Sequence, residues 1–362
     1  MSSRQAFVAS GSTPDPGRSY ARAGVDVAAG DRAVELIKAR LAGSSDVLGA
    51  LGGFAAAVPL PTGLREPLLV TATDGVGTKT EIARLLGRRD TIGADLVAMC
   101  VDDLVCHGAR PLWFLDYLAV GRVVPEAVAE VVAGISRACA SVGCELVGGE
   151  TAEHPGLMAE DAFDLAGFAA GVVERAELID GRAARERDIV LGLASSGLHA
   201  NGYSLVRAML VERSLRLGQP VGPGLDLGEA LLTATRIYAA HILALLGHAR
   251  EDGFRIGGLA HVTGGGLAGN LPRSVMPSLG ITVTPGTWPV PPVIELVRRA
   301  AGMAGPELRA TFNAGIGMAV VVEPDAARSV LTLLEARGVQ AWPIGQVVAA
   351  TETGPSRYIE TA

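Results

Sequence analysis

The apolar run Leu68-Leu69-Val70 leads within three residues into Thr73-Asp74-Gly75-Val76-Gly77-Thr78-Lys79. The first stretch reads as a buried strand and the second as the turn that ends it. The turn holds one carboxylate, two glycines, a hydroxyl and one of only two lysines in the chain. Asp74 can carry a divalent metal, Gly75 and Gly77 let a polyanion approach the bare backbone, and Lys79 can neutralise it. It is not a standard P-loop, which needs Gly immediately before Lys where Thr78 stands. Taken alone, it fits a plain structural turn as well as phosphate chemistry.

Apolar segments alternate with helical patterns along the rest of the chain, the mark of an α/β or α+β architecture. At 362 residues the chain exceeds what one core usually serves, so two domains are expected. In the first half, helices are predicted over Asp31–Leu41, Thr91–Val105 and Pro125–Ser141. Strands are predicted over Leu112–Val120, Glu145–Val147 and Asp164–Val173. The pattern changes near Glu174, which sets domains of 19–174 and 175–350 between tails of 1–18 and 351–362. In the second half, strands are expected at Asp188–Leu193, Ile281–Val283 and Met318–Val322. Helices are expected at Ser204–Leu215, Leu231–Leu246, Pro292–Ala301 and Asp325–Arg337.

Composition narrows the function. A net charge of −7 with no basic cluster argues against a nucleic-acid partner. No apolar run is long enough to cross a membrane, so no membrane partner is expected. Cys100, Cys106, Cys139 and Cys144 have neither CxxC spacing nor a flanking His pair; free thiols in a reducing cytoplasm fit better than zinc or disulfides. The Ser-, Gly- and Pro-rich stretch Met1–Gly17 lacks a signal-peptide core and reads as a disordered tail.

Four constellations can carry chemistry. Asp95, Asp102 and Asp103 lie two turns apart on one predicted helix, so Asp95 shares a face with one of the others; this is either a solvated face or a magnesium site shared with Asp74. Gly148-Gly149-Glu150-Thr151-Ala152-Glu153 follows a strand, and its acids can ligate metal or simply occupy a surface turn. Ser195-Ser196-Gly197-Leu198-His199-Ala200-Asn201-Gly202 packs two hydroxyls, an imidazole and an amide into one turn, with His199 able to act as acid or base. His261-Val262-Thr263-Gly264-Gly265-Gly266 offers a second cradle of backbone amides. The loop Thr311–Met318 is equally consistent with a tight turn and with a place in the site.

In this order, and together with Ser19-Tyr20, Ala23-Gly24-Val25-Asp26, Ile92–Leu104 and Phe114-Leu115-Asp116-Tyr117, these blocks resemble the phosphoribosylformylglycinamidine cyclo-ligase (AIR synthetase) family from about Ser19 to Gln346. The resemblance implies ATP-dependent closure of formylglycinamidine ribonucleotide to aminoimidazole ribonucleotide in de novo purine synthesis, through a phosphorylated amide oxygen, with ADP and phosphate released. It implies magnesium on Asp74, Asp103 and Glu150. Nucleotide contacts fall on Lys38, Gly75, Gly77, Thr78, Lys79 and Asp95, with His199, Asp74 and Lys38 catalytic. Substrate contacts fall on Ser195, Ser196, His199, Asn201 and Thr263, Gly264, Gly265 and Gly266. It further implies a ferredoxin-like N-terminal domain that binds ATP and pairs its sheet in a homodimer, and a second α/β domain. Leu198, Ala200, His154 and Ala314 depart from the family's common Pro, Ser, Met and Cys, and none removes a proposed charged group. Sister enzymes of the superfamily and an inactive nucleotide-binding paralogue are the alternatives.

Overall fold

The computed structural model describes residues 26–41 and 55–361. The expected tail 1–18, the blocks at 19–25 and the positions Gly53 and Phe54 lie outside the described residues. The first half runs α1 (Val27–Leu41), β1 (Pro67–Gly75), α2 (Lys79–Leu86), α3 (Ile92–Val105), β2 (Arg110–Val120), α4 (Pro125–Ser141), β3 (Glu145–Glu153) and β4 (Phe163–Glu174). Its strands form a sheet in the order β1-β4-β2-β3, antiparallel except for the β2–β3 pair, which α4 joins as a crossover. The α/β class holds, but the connectivity departs from the expected ferredoxin-like plan. That plan alternates β-α-β-β-α-β, whereas here both helical connections precede the last two strands.

Pro125 opens α4 at its first turn, where a missing N–H costs nothing. α3 and α4 cross so closely that a Cβ on Gly93 would run into the backbone of Ile135 and Gly134. α3 is buried on nearly every side, because it lies between the first sheet and the second half of the chain. Leu96, Val97, Val101 and Leu104 fill that layer without exposure. Each such side chain contributes about 1.5–3 kcal/mol on burial.

The second half continues β5 (Ile189–Ala194), α5 (Tyr203–Val211), the short hairpin β6 (Pro220–Gly222) and β7 (Leu225–Asp226), α6 (Leu227–Leu232), α7 (Ala239–Asp252), β8 (Ile256–His261) and α8 (Gly266–Asn270). It ends with β9 (Leu279–Val283), α9 (Pro292–Ala300), α10 (Gly305–Thr311), β10 (Ile316–Val322), α11 (Ala327–Ala336), β11 (Ala341–Ala349), α12 (Ala350–Thr353) and β12 (Tyr358–Glu360). Six of its strands form a sheet ordered β12-β9-β11-β5-β10-β8. Ala194 pairs with Ile316 and His261 with Met318, so the loops after β5, after β8 and before β10 emerge at one end of this sheet.

Two further expectations change. The single helix Leu231–Leu246 is instead α6 and α7 separated by an extended strap, residues 233–238, whose backbone is claimed by acids of α3. Within the expected tail 351–362, the residues up to Glu360 form a helical turn and the edge strand β12, parallel to β9 and fastened by Arg309 Nε donating to Glu360 Oε1 at 2.8 Å. The strands β8 and β11 escaped notice: Gly257 and Gly258 dilute the apolar run of one, and Pro343 and Gly345 interrupt the other.

Candidate active site

Asp74 lies in the second-last position of β1, half-buried, and its Oδ1 accepts the Gly75 N–H at 2.7 Å. Burial raises its pKa, and the charge of Asp103 adds to the rise; the Gly75 N–H and His261 oppose it. Asp103, on the last turn of α3, meets His261 Nδ1 at 3.0 Å from the end of β8. Two carboxylates that share a space and one buried imidazole thus gather where β1 and β8 face each other. The cleft between them has a volume of about 370 Å³ and is lined by Thr73, Asp103, His261, Asn270 and Arg273 among others.

Deeper along α3, Asp95 and Asp102 are fully buried. Asp95 Oδ1 accepts from Thr235 N at 2.8 Å and Thr235 Oγ1 at 2.6 Å, and pairs with Lys79 Nζ at 2.8 Å. Asp102 accepts the Tyr238 N–H at 2.9 Å, and burial lifts its pKa to about 7. These two acids, two turns apart on one helix face, grip the strap at Thr235 and at its last residue, Tyr238. Burial lowers the pKa of Lys79 and raises that of Asp95, while the pairing opposes both shifts.

The strap in turn holds the loop after β5. Ser196 Oγ donates to Ala234 O at 2.7 Å and accepts from Arg236 N at 3.1 Å. Ser196 N donates to His199 Nε2 at 3.1 Å. That bond makes Nε2 an acceptor and puts the proton of the neutral ring on Nδ1, which has no partner among the described residues. The ring is 2 % exposed, and burial, followed by the positive charges of His261, Lys79 and Arg236, holds it well below the usual histidine range. His199 is left-handed, at φ 63°. Gly317 leaves the space its ring fills. From the loop before β10, Asn313 Nδ2 donates to Gly197 O at 2.8 Å while its Oδ1 accepts the Gly315 N–H at 2.9 Å.

Asn270 Nδ2 donates to Gly264 O at 3.1 Å and Gly266 O at 2.9 Å, fixing the glycine loop after β8. A Cβ on Gly264 would stand 3.4 Å from Asn201 Oδ1, so Asn201 borders that loop. Thr78 Oγ1 lies 3.2 Å from Ser204 Oγ and ties the turn after β1 to α5.

Two family models match this chain: AIR synthase related protein, N-terminal domain, over residues 55–173, and the corresponding C-terminal domain over 185–356. The chain belongs to the AIR synthase related family. It is 48% identical over 333 residues to the phosphoribosylformylglycinamidine cyclo-ligase of Thermosynechococcus vestitus, covering 91% of this chain and 96% of that one. The enzyme of the same name from Sorangium cellulosum is 48% identical over 91% of this chain and 95% of its own. A hydrogenase maturation protein solved in complex with ATP shares the fold, with a TM-score of 0.63 and 20% identity over 91% of this chain and 90% of that chain.

Several residues that the family resemblance assigns to the site are placed otherwise. Lys79 and Asp95, expected on the nucleotide, face each other without exposure, and Lys79 gives its remaining hydrogen bonds to backbone carbonyls. Glu150, expected on metal as are Asp74 and Asp103, does not join those two. Glu150 pairs with Tyr117 at the far edge of the first sheet, about 14 Å across three strand spacings from Asp74 and on the opposite face by alternation. Among the described residues no group of three or more His, Cys, Asp or Glu is placed to hold a metal ion. Lys38 projects from α1, which packs on α4, and pairs at 3.6 Å with Glu35 of its own helix. The hydroxyls of Ser195 and Ser196 are committed within the chain, the first to Gly197 O at 2.9 Å.

Thr235 and Tyr238, to which the sequence assigns no role, do much of the building together with Asp102, His261, Asn313 and Gly317. Asp102 is legible as an acid on a predicted helix, His261 as the last residue before a glycine loop, and Asn313 and Gly317 as members of the Thr311–Met318 loop. The rest are recognisable only through partners more than a hundred residues away.

Proposed function

We propose that this chain catalyses ATP-dependent closure of formylglycinamidine ribonucleotide to aminoimidazole ribonucleotide, releasing ADP and phosphate, in purine synthesis. The observation that carries this reading is 48% identity to cyclo-ligases along nearly the full length of both chains. ATP use has further support from the ATP complex of a protein of the same fold.

Asp74 and Asp103 are the residues that would hold magnesium. Two carboxylates support this reading: Asp74 is half-buried, and burial first, then the charge of Asp103, raises its proton affinity. Magnesium there would offset the charge of the transferring phosphoryl group. Gly75, Gly77 and Thr78 supply the backbone approach and hydroxyl beside it. His199 serves as a donor, since its Nε2 is occupied and its Nδ1–H is not; an oxygen of the bound substrate satisfies that donor and places the amide for attack. Asn201 and Thr263–Gly266 border the substrate, with Ser195 and Ser196 shaping the loop. Lys38 and Glu150 lie apart from this centre and act where another part of the chain or a second copy completes the site.

The working form is a homodimer joined through the first sheet. Leu69, Leu115, Tyr117 and Phe168 stand exposed on the sheet face opposite its helices, an apolar surface fitted to a like surface. A cytoplasmic location suits four free cysteines, three of them buried.

The test is phosphate release from the purified protein with magnesium-ATP, with and without formylglycinamidine ribonucleotide, alongside the diazo colour of the aminoimidazole product. One-to-one coupling is expected. Folded, ATP-binding protein with no substrate-dependent release overturns the reading.

A further inference from the structure

An ammonium has three N–H donors. Those of Lys79 are matched by Asp95 Oδ1 at 2.8 Å, Thr233 O at 2.7 Å and His199 O at 3.2 Å. The side chain is wholly buried, 5.7 Å from the Tyr203 ring centroid. No donor remains for a phosphate, although the lysine ends a glycine turn that looks built for one.

Two routes run from this ion pair to His199. One is direct, through the His199 carbonyl. The other passes from Asp95 through Thr235 and the strap to Ser196, whose N–H fixes the imidazole. His199 needs such clamps. A left-handed backbone is costly for a non-glycine residue, and it persists only where surrounding contacts over-determine it.

We propose that Lys79, with Asp95, is a positioning residue for His199 and does not touch the nucleotide. The pair sets the backbone and ring of His199 and holds the imidazole with its proton on Nδ1. The proposal rests on the cyclo-ligase reading for its kinetic test but not for its structural one.

Three variants decide it: Lys79→Met, which strands the Asp95 charge; Asp95→Asn, which strands the Lys79 charge; and the double variant, in which the neutral amide still accepts from Thr235. Removing one partner of a buried pair is costly, whereas removing both charges can be nearly neutral. Lys79→Met is expected to lower kcat about 100-fold or more with the KM for ATP moved less than about threefold. The double variant is expected to recover at least tenfold of that kcat. A KM or Kd for ATP raised more than tenfold in the double variant, or a folded double variant no better than Lys79→Met, overturns the proposal.

If Lys79→Met fails to fold, the double variant is compared directly with the native chain. A kcat within about tenfold of native at an unchanged KM for ATP supports the pair as a strut, and a larger loss overturns it. The structural arm uses ring ¹⁵N shifts of His199, assigned through His199→Gln. A single Nδ1–H tautomer is expected in the native chain and tautomer averaging in Asp95→Asn; unchanged shifts in that folded variant overturn the proposal. This readout stands even if the native protein closes no imidazole ring.

Discussion

Gly317 and His199 share one space: a side chain on the first would run into Cε1 of the second and into the Tyr238 hydroxyl. The start of β10 therefore sets the room available to the imidazole on the neighbouring loop. Gly317→Ala is expected to cost about 1–3 kcal/mol by overpacking and to lower kcat at least tenfold, with nucleotide affinity within about threefold of native. Urea unfolding and steady-state kinetics on the same preparation check both. Native kcat in the variant would sink the assignment of His199.

Asp74→Asn removes a charge from the carboxylate pair with Asp103 while keeping its shape. Turnover with magnesium-ATP is expected to fall by a factor of about 100 or more, and the magnesium concentration for half-maximal rate to rise. The urea midpoint should stay level or increase, because burial already works against this charge. Full activity at ordinary magnesium would remove Asp74 from the site.

Asp116 faces the helices from β2, 8 % exposed, and burial lifts its pKa to about 7. Its pKa unfolded is about 3.9. The fold therefore favours the protonated form, and the stabilisation this gives is complete below about pH 4 and lost as pH rises through 7. Asp102 contributes in the same direction. Asp116→Asn should be more stable than native at pH 8 and equal to it near pH 4, the difference reaching at most ~4 kcal/mol. Denaturant curves at several pH values check the slope; parallel curves for the two proteins would refute it.

Phe168→Asp places a charge in the middle of the exposed sheet face, where Leu69, Leu115 and Tyr117 also stand. Sedimentation at micromolar concentration is expected to give a dimer for the native chain and a monomer for the variant. A native monomer, or a variant that still pairs, would rule this face out as the contact.

The sequence made local features plain. Pro125 opens the helix it was expected to open, and β10 and α3 begin within two residues of their expected starts. Periodicity decides such elements over a few turns. The strap was not legible, because nothing local separates Leu231–Leu246 into two helices; Asp95 and Asp102, far upstream, bind the backbone that a helix would have used internally. For the same reason charge type alone does not reveal that Lys79 and Asp95 are buried partners. A lysine after a glycine turn reads as a phosphate ligand until its buried partners are known. Asp74 lies at the end of β1 and His199 on the loop after β5, where α/β folds put their chemistry.

The grip of Asp95 and Asp102 on residues 233–238 sets a limit on how this chain can be divided. Separated from the second half, α3 would carry two carboxylates into water together with the apolar surface around them, and Lys79 would lose two of its three acceptors. Cutting the chain in the connection between β4 and β5 would thus yield no pair of independent modules. A protease reaching that connection in the intact molecule would leave two fragments that migrate as one, and truncated genes for either half would produce material that accumulates only when its complement is made beside it.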